Sequence, residues 1–121
     1  MKYMLLIYGE AMEAPGGTPE QQAAELQRWF DYSEWLQQQG WMLAGDPLQD
    51  VEHATTVRIR NGETLTTDGP FAETKEQLGG YYLLECDDLD QAIEAATRCP
   101  GALNGSIEVR PLMDFDMPEA T

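Results

Sequence analysis

The sequence predicts a single α+β domain, a split β-α-β sandwich in which two helices lie against one sheet. Three observations carry that prediction. Short aromatic and branched runs alternate with two helical stripes, Asn61-Gly62 sits between two runs of strand type, and the inner strands are apolar on both faces. With 121 residues, 42% of them hydrophobic and 24% charged, the chain has the size and composition of one globular core. The domain is expected to occupy residues 1–113 and to be followed by an acidic tail over residues 114–121.

Residues 1–8 are short-range apolar on both faces and closed by Gly9, which predicts a central strand. A loop containing Pro15, Gly16 and Gly17 leads to Thr18-Pro19-Glu20-Gln21, where a Thr cap, a Pro at the first helical position and a Gln three residues on form a capping box. At 100° per residue, Ala23, Leu26, Trp29, Phe30, Ser33 and Leu36 form one stripe, expected to pack on the sheet, and Gly40 ends the helix. Trp35 falls nearly opposite Leu26, so it is expected on the solvent side as a second contact surface.

Residues 41–48 read as a second strand, broken near Gly45 and Pro47. Residues 54–60 and 63–67 then flank Asn61-Gly62, a two-residue hairpin signal that sets Arg60 opposite Glu63, Ile59 opposite Thr64 and Arg58 opposite Leu65. An ion pair between Arg60 and Glu63 is expected to close that end. Residues 79–86 form an apolar strand. Asp88 and Gln91 cap a second helix with the stripe Leu89, Ala92, Ile93, Ala96 and Cys99, and residues 105–110 form the last strand.

The resulting order, strand, helix, strand, hairpin, strand, helix, strand, is a ferredoxin-like pattern with an inserted β-hairpin. Two helices cover only one face of such a sheet. Yet Met4, Leu6 and Tyr8 alternate with Tyr3, Leu5 and Ile7, and Tyr82 and Leu84 with Tyr81 and Leu83, so both faces of the inner strands are apolar. A second copy of the chain, sheet against sheet, is the expected cover.

Charge excludes some classes of partner. Acidic residues number 22 against 7 basic ones, a formal net charge of −15, and Lys2, Arg28, Arg58, Arg60, Lys75, Arg98 and Arg110 are scattered. Direct binding to nucleic acid or to an anionic membrane surface needs clustered cations, so neither is expected. The apolar run over residues 3–8 is too short for a signal-peptide core, which predicts a cytoplasmic protein. Cys86 and Cys99 flank a helix of about ten residues and so stand roughly 15 Å apart, too far to bridge; both are expected to be reduced apolar fillers.

One loop carries chemistry without periodicity: Asp68-Gly69-Pro70-Phe71-Ala72-Glu73-Thr74-Lys75-Glu76 joins two strands that a short turn would join. This DGPFAETKE stretch, followed by QLGGYY at 77–82, resembles the signature of the DGPF branch of the YCII-related family. The resemblance extends to MKYMLLIYG at 1–9, ATTVR at 54–58, RCP at 98–100 and EVRP at 108–111. It implies a dimeric α+β barrel of ferredoxin-like subunits, similar to that of muconolactone isomerase. It also implies a kinship with enzymes on architectural grounds and, for many members, genes beside extracytoplasmic-function sigma factors. In the YCII branch a His on the first helix pairs with the motif Asp, and here no His lies between Thr18 and Gly40.

Among single residues, Asp68 is the candidate general base, with an Asx-type turn at the Gly69-Pro70 bend as its structural alternative. Lys75 and Arg58, with Arg110, are candidate clamps for a small anionic substrate, or else surface ion pairs. Phe71 is either a cleft wall or a plug that anchors the loop. One of Tyr81 and Tyr82 faces the inner layer, and Tyr81 is a candidate substrate contact. His53, the single histidine, stands beside Asp50 and Glu52 and reads as an exposed side chain that is neither ligand nor base. No metal-ligand spacing, phosphate loop or nucleophile elbow occurs, so no metal or cofactor is expected.

Two functions follow from these residues. One is a cofactor-independent acid–base enzyme, or a binder of a small anionic molecule, with Asp68 as base. The other is an interaction protein acting with a sigma factor through Trp35 or the acidic surface. Sedimentation of the chain at micromolar concentration is expected to show a dimer; a stable monomer would remove the two-faced-strand argument for a homodimer.

Overall fold

A computed structural model describes residues 1–10 and 17–115. The expected turn at Pro15 and Gly16 and the tail beyond residue 115 lie outside them. Its strands are β1 (Lys2–Glu10), β2 (Met42–Pro47), β3 (Thr55–Arg60), β4 (Glu63–Asp68), β5 (Glu76–Glu85) and β6 (Ser106–Pro111), and its helices are α1 (Pro19–Gln38) and α2 (Leu89–Arg98). Short 3-10 turns follow β2, at Val51–His53, and α2, at Pro100–Ala102.

β1 and β5 form the centre of a four-stranded antiparallel sheet in the order β2-β5-β1-β6, while β3 and β4 make a separate two-stranded hairpin. This is the ferredoxin-like arrangement with the hairpin inserted between its second and third sheet strands. The turn has the positive φ angles that Asn61-Gly62 supplies, 53° and 79°, and the register is the one the sequence dictates: Arg60 faces Glu63 and Arg58 faces Leu65. Arg60 makes no ion pair there, because its guanidinium donates to the Ile59 carbonyl instead.

Cross-strand partners share a face, so Tyr3, Leu5 and Ile7 stand with Leu84, Tyr82, Val109 and Ile107 under the helices. Met4, Leu6 and Leu83 line the opposite face and are half-buried. Leu5, Leu36 and Leu84 are fully enclosed, and with Tyr3, Tyr32, Tyr82 and the Ala and Cys residues of the α2 side they form the core.

Helix α1 begins at the Thr18–Gln21 capping box, with both reciprocal hydrogen bonds present. Its buried face is turned from the expected one. Tyr32 and Leu36 are buried with Trp29 packed beside them, while Leu26 and Phe30 are 55% and 59% exposed. The aromatic edge wins because it is larger and because its polar atom is satisfied. Tyr32 stacks on Trp35 (6.2 Å between rings), meets Tyr82 edge-on (5.3 Å), and donates its hydroxyl to the Ala95 carbonyl at 2.6 Å.

Trp35 therefore does not stand free on the solvent side as expected but is half-buried against the core. Its ring is held between Tyr32 and Trp41, and the Arg98 guanidinium lies 4.5 Å over it. Helix α2 is rotated likewise, burying Ala92, Ala95, Ala96 and the following Cys99 and leaving Leu89 and Ile93 exposed. Alanines let the helix approach closely enough for Ala95 to accept the Tyr32 bond. Cys86 and Cys99 are free, and burial pushes both thiols up, which keeps them protonated and inert.

Tyr32→Phe removes one buried donor and leaves the Ala95 carbonyl without it. Urea unfolding is expected to show a loss of about 1–3 kcal/mol with an unchanged slope.

Candidate functional site

The two segments that tie the β3–β4 hairpin to the sheet run side by side and flank an open cleft of about 640 Å³. One wall comes from residues between 48 and 56, including Asp50 and His53; the other comes from the motif and the start of β5, including Pro70, Phe71, Thr74, Glu76 and Leu78. Tyr8 of β1 completes the lining. A smaller hollow of about 330 Å³ between α2 and β6 is lined by Ile93, Ala96, Thr97, Ala102, Gly105, Ile107 and Val109, none of which titrates. Proton-holding side chains belong to the larger cleft.

The motif loop is fastened by backbone-directed bonds. Gly69 takes a φ of 99°, open to glycine, and its N–H donates to the Ala54 carbonyl at 2.7 Å. The Thr56 hydroxyl donates to the Gly69 carbonyl at 2.9 Å, and the Thr74 hydroxyl to the Glu76 carbonyl at 2.6 Å. Arg58 reaches from β3 to the Phe71 carbonyl at 3.2 Å. β5 starts at Glu76, earlier than residue 79, so the last residue of the motif already lies in the sheet.

These contacts decide where the sequence-named residues stand. Asp68 is exposed and is the cross-strand partner of Thr55, a cleft-lining residue, which places it at the rim rather than in the lining. Ala54 and Thr56, not the Asp68 side chain, hold the Gly69 bend. Phe71 lines the cleft and is 75% exposed, a wall rather than a plug. Arg58 holds the loop backbone, and Lys75 pairs with Glu10 at 3.5 Å, so neither lines the cleft and the expected anion clamp is not assembled there.

Tyr82 is the tyrosine that faces the helix layer, sharing a 2.7 Å hydrogen bond with Ser33. Tyr81 points to the opposite face and donates to Asp46 at 2.9 Å, a bond that pushes its hydroxyl up and holds it as a neutral donor. Tyr81 is outside the cleft lining.

His53 is exposed, as expected, and lines the cleft. Its neighbours Asp50 and Glu52 suggest a solvated turn, and only the fold brings that turn across from the motif loop. Tyr8 is both a β1 residue and a lining residue of the cleft. Its hydroxyl donates to Glu108 at 3.4 Å, and Arg110 grips the other Glu108 oxygen at 2.7 Å. The Arg110 hydrogen bond holds the Glu108 carboxyl below its usual range. The pair is thus fully formed above the ordinary carboxylate range and is lost as pH falls through the lowered value.

Against known proteins, the model of the YCII-related domain matches residues 1–116, and the chain belongs to that family. Among curated proteins, "Uncharacterized protein R00369" of Rhizobium meliloti (strain 1021) is 54% identical over 61 residues, 49% of each sequence. The match thus spans about half the length of that relative. Among solved structures, 5-chloro-2-hydroxyhydroquinone dehydrochlorinase (TftG) from Burkholderia phenoliruptrix AC1100, in complex with 2,5-dihydroxybenzoquinone, aligns with a TM-score of 0.49 and 14% identity, covering 93% of this chain and 94% of that one. At that level of likeness nothing about activity carries over. No group of three or more metal-ligating side chains occurs among the described residues, and no described helix is long and apolar enough to cross a membrane.

Thr56→Val removes the hydroxyl that anchors Gly69. Hydrogen exchange is expected to rise across residues 69–72, with a stability loss of about 0.5–1.5 kcal/mol.

Proposed function

We propose that this chain is a DGPF-branch member of the YCII-related family that binds a small organic molecule in the cleft beneath the motif loop and performs cofactor-independent acid–base chemistry on it. The observation that carries the reading is the composition of the cleft wall. Apolar surface from Leu48, Phe71 and Leu78 stands beside four groups able to hold or pass a proton, Tyr8, Asp50, His53 and Glu76. Asp68 at the rim is the base named by the motif, and His53 is a second proton acceptor inside the lining. Arg58 acts by holding the loop, and its loss would change the shape of the cleft rather than its charge.

The same reading includes a homodimer. Met4, Leu6 and Leu83 make an apolar strip on the face without helices, and Val57, Ile59 and Leu65 are exposed on the hairpin. A second copy offers the matching strip, and burying a large apolar side chain is worth roughly 1.5–3 kcal/mol.

Thermal-shift screening with small aromatic alcohols, phenols and amines is expected to find compounds that raise the melting temperature of the wild type. Leu78→Trp, which fills the cleft, is expected to abolish that shift while the protein stays folded. Asp68→Asn and His53→Gln, both at exposed positions, are expected to keep stability within about 0.5 kcal/mol and to remove turnover of a bound compound singly or together. If no compound shifts the melting curve and Asp68→Asn costs several kcal/mol, the motif is structural.

A further inference from the structure

We propose that the cleft selects an amphipathic organic cation, a protonated amine on an aromatic or aliphatic body, over an anion of the same shape; this rests on the reading of the cleft as a small-molecule site. Its two walls each contribute one acidic residue, Asp50 beside the 3-10 turn and Glu76 at the start of β5, whose Oε1 accepts from the Ser106 hydroxyl at 2.9 Å and whose other oxygen has acceptor capacity left. His53 is the one lining side chain able to take a positive charge, and no Lys or Arg belongs to the lining.

The cations of the adjoining elements are committed elsewhere. Arg58 donates to the Phe71 carbonyl, Lys75 faces Glu10, and Arg110 is bound to Glu108. An anion entering the cleft therefore sheds water against two like charges and finds no Lys or Arg to pair with, whereas an ammonium group is drawn to both acidic walls. The field of a chain with net charge −15 acts in the same direction on approach. Leu48, Phe71 and Leu78 leave room for an apolar body beside the charged end.

The test uses three probes of one shape on the full chain at neutral pH: 2-phenylethylamine, 2-phenylethanol and 3-phenylpropanoate, followed by amide NMR titration. The ammonium is expected to bind about fivefold tighter than the alcohol, as partly exposed ion pairs allow, and the carboxylate more weakly than both. The Asp50→Asn/Glu76→Gln double variant is expected to lose the ammonium advantage while the alcohol still moves the amides of Thr55, Ala72 and Leu78, which reports an intact cleft. Carboxylate binding equal to or tighter than ammonium binding, or an advantage that survives the double variant, overturns the charge selection and leaves the cleft standing. If none of the probes moves the amides of Thr55, Ala72 or Leu78, the cleft itself is not a binding site and the proposal falls with it.

Discussion

The hydrogen bond from Tyr32 to the Ala95 carbonyl is the constraint on which the rest of the architecture depends. It joins the two helices to one another at the point where Tyr32 also meets Tyr82 of the central sheet edge-on. Both helices are thereby held on one side. A tyrosine buried this deeply needs a partner for its hydroxyl, and the alanine face of α2 brings a carbonyl to it without a side chain in the way. Because the helices are confined to one face, the other face of β1 and β5 is left without a helical cover.

That second face is not simply greasy. Tyr8, Glu108 and Arg110 form one hydrogen-bonded row across it, and Tyr81 with Asp46 forms another, so its polar atoms already have partners within the chain. A polar group that is paired before it is buried costs far less to desolvate than a lone one. Such a face can therefore be covered by protein at a lower cost than one with lone polar groups.

Local chemistry was legible in the sequence where a few residues dictate it. Asn61-Gly62 set the hairpin register because only residues tolerant of positive φ make that turn, and Thr18 with Gln21 set the start of α1. Helix orientation was less legible. The stripe with Leu26 and Phe30 and the stripe with Tyr32 overlap through Trp29 and Leu36, and hydrophobic periodicity does not rank an aromatic with a satisfied hydroxyl above an aliphatic one. The site was legible as a loop but not as a cavity. DGPFAETKE marked one wall, while Asp50 and His53 come from a different stretch that only the hairpin topology brings opposite. Arg58 and Lys75 looked available because sequence does not show that a loop carbonyl and Glu10 would engage them.

The β3–β4 hairpin pairs with no strand of the main sheet, and the two stems that carry it are the two walls of the cleft. No residue of the hairpin belongs to the core, so the hairpin is carried by its two stems and by the bonds that lace them, Gly69 to Ala54, Thr56 to Gly69 and Arg58 to Phe71. The shape of the cleft is therefore set by a few polar contacts between two loops and not by the packing that sets the shape of the sheet.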